Sequence, residues 1–221
     1  MDPGVLALVG IFALGAIFAL WNFSYRRSIE RRLAAQGFER CETEAPSLEA
    51  AWRALTGLDG PAWELRLTQC RRRGALYHFT VRERPTERTS DDTANPGSSS
   101  PAYLFDVRDP DSLSRGAVTL HVLPAGSKVL RTLLAGVTDL GASRPRLDVG
   151  VHSWSPSIVA AHGEAGGTLD DVVPAGVQEK LARAAAHGFF ILHLGKGKAA
   201  FVALPNHRDV DLQLAYLAEW L

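Results

Sequence analysis

Residues 63–82 read WELRLTQCRRRGALYHFTVR, and the fold class of the chain follows from them. Trp63, Leu65 and Leu67 alternate with Glu64, Arg66 and Thr68, while Tyr77, Phe79 and Val81 alternate with His78, Thr80 and Arg82. Successive side chains on a strand point to opposite faces, so strict alternation of apolar and polar residues marks a strand with one face buried. Arg71-Arg72-Arg73-Gly74 lies between the two runs and reads as the turn of a hairpin. Two strands joined this way are antiparallel, with one face left to be covered.

The same signal recurs outward along the chain. Tyr103–Val107 and Ala117–Leu123 read as strands, with Asp109-Pro110-Asp111 starting the turn between them. Leu147–Trp154 alternates again, and Ser157–Ala161 continues the sheet after Pro156. Phe189–Leu194 and Ala199–Leu204 form a hairpin around Gly195-Lys196-Gly197-Lys198. The run Pro85–Pro101 is polar and nearly free of apolar residues, so it is expected to be a mobile loop joining two adjacent strands. Helices are expected from Pro46-Ser47 through Leu55, over Ser127–Leu134, over Pro174–His187 with Gly188 as its stop, and over Asp209–Leu221 with Leu212, Tyr216 and Trp220 on one face. The resulting class is α+β, a largely antiparallel-sheet domain with flanking helices, spanning residues 37–221.

Ahead of that domain, Gly4–Phe23 (GVLALVGIFALGAIFALWNF) carries no charge. At ~1.5 Å per residue such a helix is roughly 30 Å long, about the hydrocarbon thickness of a bilayer, so residues 1–23 are read as a transmembrane anchor. A cleaved signal peptide fits less well: Met1-Asp2-Pro3 is no basic leader, and large side chains (Trp21, Phe23, Tyr25) follow the core. Residues 24–36 (SYRRSIERRLAAQ) read as a basic juxtamembrane helix, with Arg26, Arg27, Arg31 and Arg32 as a lipid-facing flank. Arginines close to a span stay in the cytoplasm, so the amino terminus is expected outside the inner (plasma) membrane and the domain inside, in a single-pass arrangement. Gly15 and Ala19 form one small-xxx-small step, a weak signal for helix pairing.

Charge limits the partners. The 221 residues hold 24 Lys+Arg and 24 Asp+Glu, a net charge of zero, which argues against nucleic-acid binding. Membrane lipids through the anchor, and a protein partner or a second copy of the chain, are the expected contacts. Cys41 and Cys70 share no metal or redox spacing and should be free thiols in a reducing compartment.

No catalytic, cofactor-binding or metal-ligating residue is assigned. His78, His121 and His193 sit in strand patterns, where a sheet-face or core histidine is the usual outcome, and His187 sits at a helix end. His152 and His162 flank Ser153, Ser155 and Ser157, which allows a Ser–His pairing, but the sequence has no nucleophile elbow and nothing in it indicates the third partner. Gly195–Lys198 lacks the strand–loop–helix setting of a phosphate loop and reads as a hairpin turn. The Gly163–Gly167 stretch could cover a ligand, although a plain connection is the commoner role of such loops.

The layout resembles that of uncharacterised single-span bacterial membrane proteins with a cytosolic α+β domain. The features that carry the resemblance are the anchor with Arg26-Arg27, the paired strands split by a polar loop, and the closing Pro174–Leu221 unit with its FFILHLGKGKAAFVAL hairpin. It implies topology and no reaction. The expectation is a membrane-tethered cytoplasmic interaction domain, an accessory subunit of a membrane protein complex. A small-molecule-binding sensory domain is the alternative, and a serine/histidine hydrolase the third.

Overall fold

The computed structural model describes residue 24 and residues 27–58, 63–85, 99–108, 113–124, 143–164, 166–195, 197–204 and 209–221. The apolar run Gly4–Phe23, the expected Ser127–Leu134 helix and residues 86–98 of the polar loop lie outside the described residues. Among the described residues, no helix is long and apolar enough to cross a membrane. The chain divides into two compact units, Met1–Phe38 and Glu39–Leu221. In the first, residues 27–35 are helical, and the helix stops where Gly37 takes φ +81° and the Phe38 amide bonds the Leu33 carbonyl at 3.0 Å. Glycine reaches that left-handed conformation without a Cβ penalty, and the turn-back bond satisfies a terminal carbonyl.

The second unit is built on β1 (Glu39–Arg40), β2 (Trp63–Arg73), β3 (Leu76–Pro85), β4 (Ser99–Asp106), β5 (Val118–Val122), β6 (Leu147–Asp148), β7 (Ile158–Gly163), β8 (Gly167–Thr168), β9 (Phe189–Gly195) and β10 (Lys198–Ala203). Eight of these form one sheet in the order β1-β2-β3-β4-β10-β9-β5-β7. Every neighbouring pair in it is antiparallel. β6 and β8 pair in parallel as a small second sheet. The helices are α1 (Ala45–Thr56), α2 (Leu169–Val172), α3 (Ala175–Ala182) and α4 (Val210–Leu217). The expected α+β class with a large antiparallel sheet is therefore what the chain adopts.

Helices pack on both faces of the sheet, α1 on one and α4 over β4, β10 and β9 on the other. On one face, α1 lays Leu48, Trp52 and Leu55 against Leu65 and Leu67 of β2, Phe79 and Val81 of β3, Ala102 and Leu104 of β4, and Ala200 and Val202 of β10. Trp52 meets Phe79 edge-on at 5.6 Å. The far end of α1 is closed by another part of the chain: Arg144 Nη1 donates to the Leu55 carbonyl at 2.6 Å, and Ser143 Oγ to the Thr56 carbonyl at 3.1 Å. A guanidinium suits the negative end of a helix and satisfies carbonyls that have no partner within it. On the opposite face an aromatic layer joins Tyr103, Phe189, Phe201, Tyr216 and Trp220. There the Tyr103 hydroxyl donates to Gln213 Oε1 at 2.9 Å, tying β4 to α4.

Local differences from the sequence reading have local causes. Arg71–Arg73 belong to β2, and the hairpin turns on Gly74 and Ala75, because Gly74 at φ +59° lets Arg73 pair directly with Leu76. The Leu147–Trp154 alternation is not a strand beyond Asp148: Gly150 turns at φ +70°, the Asp148 carboxylate accepts its N–H at 3.0 Å, and Val151 is left in solvent. Pro101 sits inside β4 because β10 pairs only as far as Ala102, so the missing N–H leaves no gap in that ladder. The helix expected over Pro174–His187 is α3 continued by a 3-10 turn, Arg183–His187, and it ends at Gly188 with φ +81°. In α4 the buried set is Val210, Gln213, Leu214, Tyr216 and Leu217, while Leu212 faces solvent. The polar loop does join adjacent strands, β3 and β4.

Candidate functional site

Three places carry residues singled out by the sequence. The first is the basic flank. Arg27, Arg31 and Arg32 lie on the helical stretch 27–35 and are exposed, while Arg26 lies outside the described residues.

The second is the segment that follows β6. Its turn folds back so that Ser155 Oγ donates to the His152 carbonyl at 2.7 Å and accepts the His152 N–H at 3.2 Å. The His152 ring stacks on Trp154 at 4.5 Å and sets Nε2 3.3 Å from Asp170 Oδ2. Asp170 is held in turn by the buried Gln178, whose Nε2 donates to Asp170 Oδ1 at 2.7 Å and to the Val173 carbonyl at 2.6 Å. An orienting amide, a carboxylate and an imidazole are thus in line. The nucleophile that would complete a hydrolytic set is not in place: among the described residues, none of Ser153, Ser155 and Ser157 bonds the imidazole, and the Ser155 hydroxyl is engaged by backbone. His162 is elsewhere, on β7. Beside this turn lies a cleft of ≈ 320 Å³ bounded by Arg146, Asp148, Gly150, Ser155, Ile158 and Val159.

The third place is one that the sequence reading did not assemble. β9, β5 and β7 align His193, Thr119 and His162 across three strands, with His121 two residues along β5 on the same face. Thr119 Oγ1 lies 3.0 Å from His193 Nδ1, His121 and His162 meet edge-on at 5.8 Å, and His193 meets Trp52 at 5.4 Å. Burial first, then the nearby His121 and Arg144, pushes His193 down to about 3, so this imidazole is neutral at ordinary pH. His78, on the opposite face under Tyr103, is likewise held at about 3 by burial and Arg71. Next to Trp52, the Glu83 carboxylate accepts the indole N–H at 2.6 Å, and burial raises its pKa against that bond. Strand membership of His78, His121 and His193 is as read from the sequence. Their alignment required the register of strands far apart in the chain.

The remaining candidates have structural explanations. Gly195–Lys198 is the β9–β10 turn, with Lys198 paired to Asp106. Asp171 caps α2 in a reciprocal pairing with Thr168. Cys41 and Cys70 are free and buried. Among the described residues no group of three or more His, Cys, Asp or Glu side chains is placed to hold a metal ion. No protein-family model, curated protein or solved structure matches this chain.

Proposed function

We propose that this chain is a membrane-tethered cytoplasmic interaction domain, an accessory subunit of a membrane protein complex. The observation that carries the reading is the charge-free run Gly4–Phe23 with arginines only on its C-terminal side. The net-neutral chain, with its His78 and His193 imidazoles buried and neutral, supports a role in binding over one in chemistry. Purification of the full chain from its native membrane in mild detergent, followed by mass spectrometry, should recover a stoichiometric partner or a homo-oligomer. A strictly monomeric, partnerless protein in native-membrane nanodiscs would refute the proposal.

A second reading, small-molecule binding, is favoured by the ≈ 320 Å³ cleft that holds Arg146 and Asp148, at the small end of the range typical for ligand pockets. A metabolite that raises the melting temperature of the detergent-solubilised chain would support it, since binding to the folded state alone stabilises that state. Flat melting across a broad metabolite set would count against it.

A further inference from the structure

The charges of the neutral chain are not spread evenly over the large sheet. β1, β2 and β3 place a row of arginines on the face opposite α1. Arg40 stands opposite Arg71, and Arg66 stands directly opposite Arg82. Arg73 shares this face further along β2. Arg40 and Arg66 are exposed and Arg82 is half-buried. Among the described residues, no carboxylate pairs with Arg40, Arg66 or Arg82, and Arg82 Nε is buried without an acceptor. The one acid of β2 on this face, Glu64, stands opposite Arg84. Like charges directly opposite on neighbouring strands destabilise a sheet, so the Arg66–Arg82 pair is an arrangement that folding alone does not favour.

We propose that this arginine face is a docking surface for the anionic head groups of the membrane to which the chain is tethered. The inference rests on the tethered reading above. Three observations select a lipid surface as the occupant. First, the chain from Phe23 to Arg40 can span at most roughly 45 Å even with residues outside the 27–35 helix fully extended, so on the tethered reading the bilayer is within reach of β1. Second, every basic residue named here is arginine, whose planar fork grips phosphate through two parallel bonds. Third, none of the large exposed apolar side chains among the described residues (Val151, Leu204, Leu212 and Leu221) belongs to β1, β2 or β3, whereas the core of a protein–protein interface is rich in apolar and aromatic groups. Arg66 and Arg82, with cross-strand Cβ atoms about 5 Å apart, would share one phosphate or bridge two adjacent head groups.

The test uses the full chain in nanodiscs, one set of phosphatidylcholine alone and one of equal parts phosphatidylcholine and phosphatidylglycerol. Hydrogen exchange over residues 63–82 is followed by mass spectrometry. Exchange should slow by roughly fivefold for each arginine engaged in the anionic discs, and the effect should fade in high salt as screening shortens. The double variant Arg66→Gln/Arg82→Gln should lose the lipid dependence while exchanging like the wild type in neutral discs. Should that variant fold poorly, Arg40→Gln/Arg66→Gln alters only exposed side chains and should show the same loss. Equal exchange in both lipids by a chain firmly inserted in the discs, or lipid-dependent protection that survives the substitutions, overturns the docking surface and leaves the tether standing. Protection that requires a co-purifying acidic protein overturns it as well. A chain that never enters the discs removes the tether and the docking surface together.

Discussion

His78 and His193 put a pH dependence into the core that can be worked out in sign. Burial lowers both from the ordinary value near 6.5 to about 3. Between those limits the unfolded chain binds more protons than the folded one, so stability is full above about pH 6.5 and is lost as pH falls through that window. His193→Gln keeps an acceptor for Thr119 and should flatten the dependence of unfolding free energy on pH between 6 and 4 by about 1.4 kcal/mol per pH unit, read by chemical denaturation. Glu83 acts in the opposite sense. Its raised pKa means that stability falls as pH rises from the ordinary carboxyl value, and Glu83→Gln should remove that fall. The thiols add a third case: burial raises Cys41 and takes Cys70 to about 11, so both should resist thiol reagents at neutral pH until the chain is denatured. Strand membership of His78 and His193 was legible in the sequence. That His193, Thr119 and His162 share one row was not, because a period of two fixes a side chain's face and not its neighbour on another strand.

At the scale of elements, α1 is joined to the sheet through one large side chain. Trp52 is 1 % exposed, packs edge-on to Phe79 and His193, and donates to Glu83. Trp52→Ala should cost about 3–5 kcal/mol in denaturant unfolding, and Trp52→Phe about 1 kcal/mol through the half-buried carboxylate left without its donor. Helix ends make separate contributions. Gly188, in the left-handed region at φ +81°, should cost roughly 1–2 kcal/mol when replaced by alanine. The presence of α1, α3 and α4 followed from their apolar spacing and caps. Their boundaries were less legible: a 3-10 turn finishes α3, and tertiary packing buries Gln213 where the sequence pattern favoured Leu212. Gln213 is inside because the Tyr103 hydroxyl supplies its partner from 110 residues away.

For the molecule as a whole, the decisive contact is between β4 and β10, which closes the N-terminal strands onto the C-terminal hairpin. β5 then pairs outside β9, so the sheet order departs from chain order. Removing residues 209–221 would uncover Tyr103, Phe189 and Phe201, and the truncated chain should lose cooperative thermal unfolding rather than melt a few degrees lower, as calorimetry would show.

The sequence by itself determined the α+β class, the main hairpins and the neutral balance of charge, because alternation, turn residues and composition are local properties that need no partner. It also holds the apolar run and the arginines beside it, from which the tether is proposed. Only the tertiary structure decided which strands became neighbours, and with them the histidine row, the Glu83–Trp52 bond and the facing pair Arg66 and Arg82. Those depend on register between distant segments, which is set by how two helical layers and one sheet bury their apolar faces together.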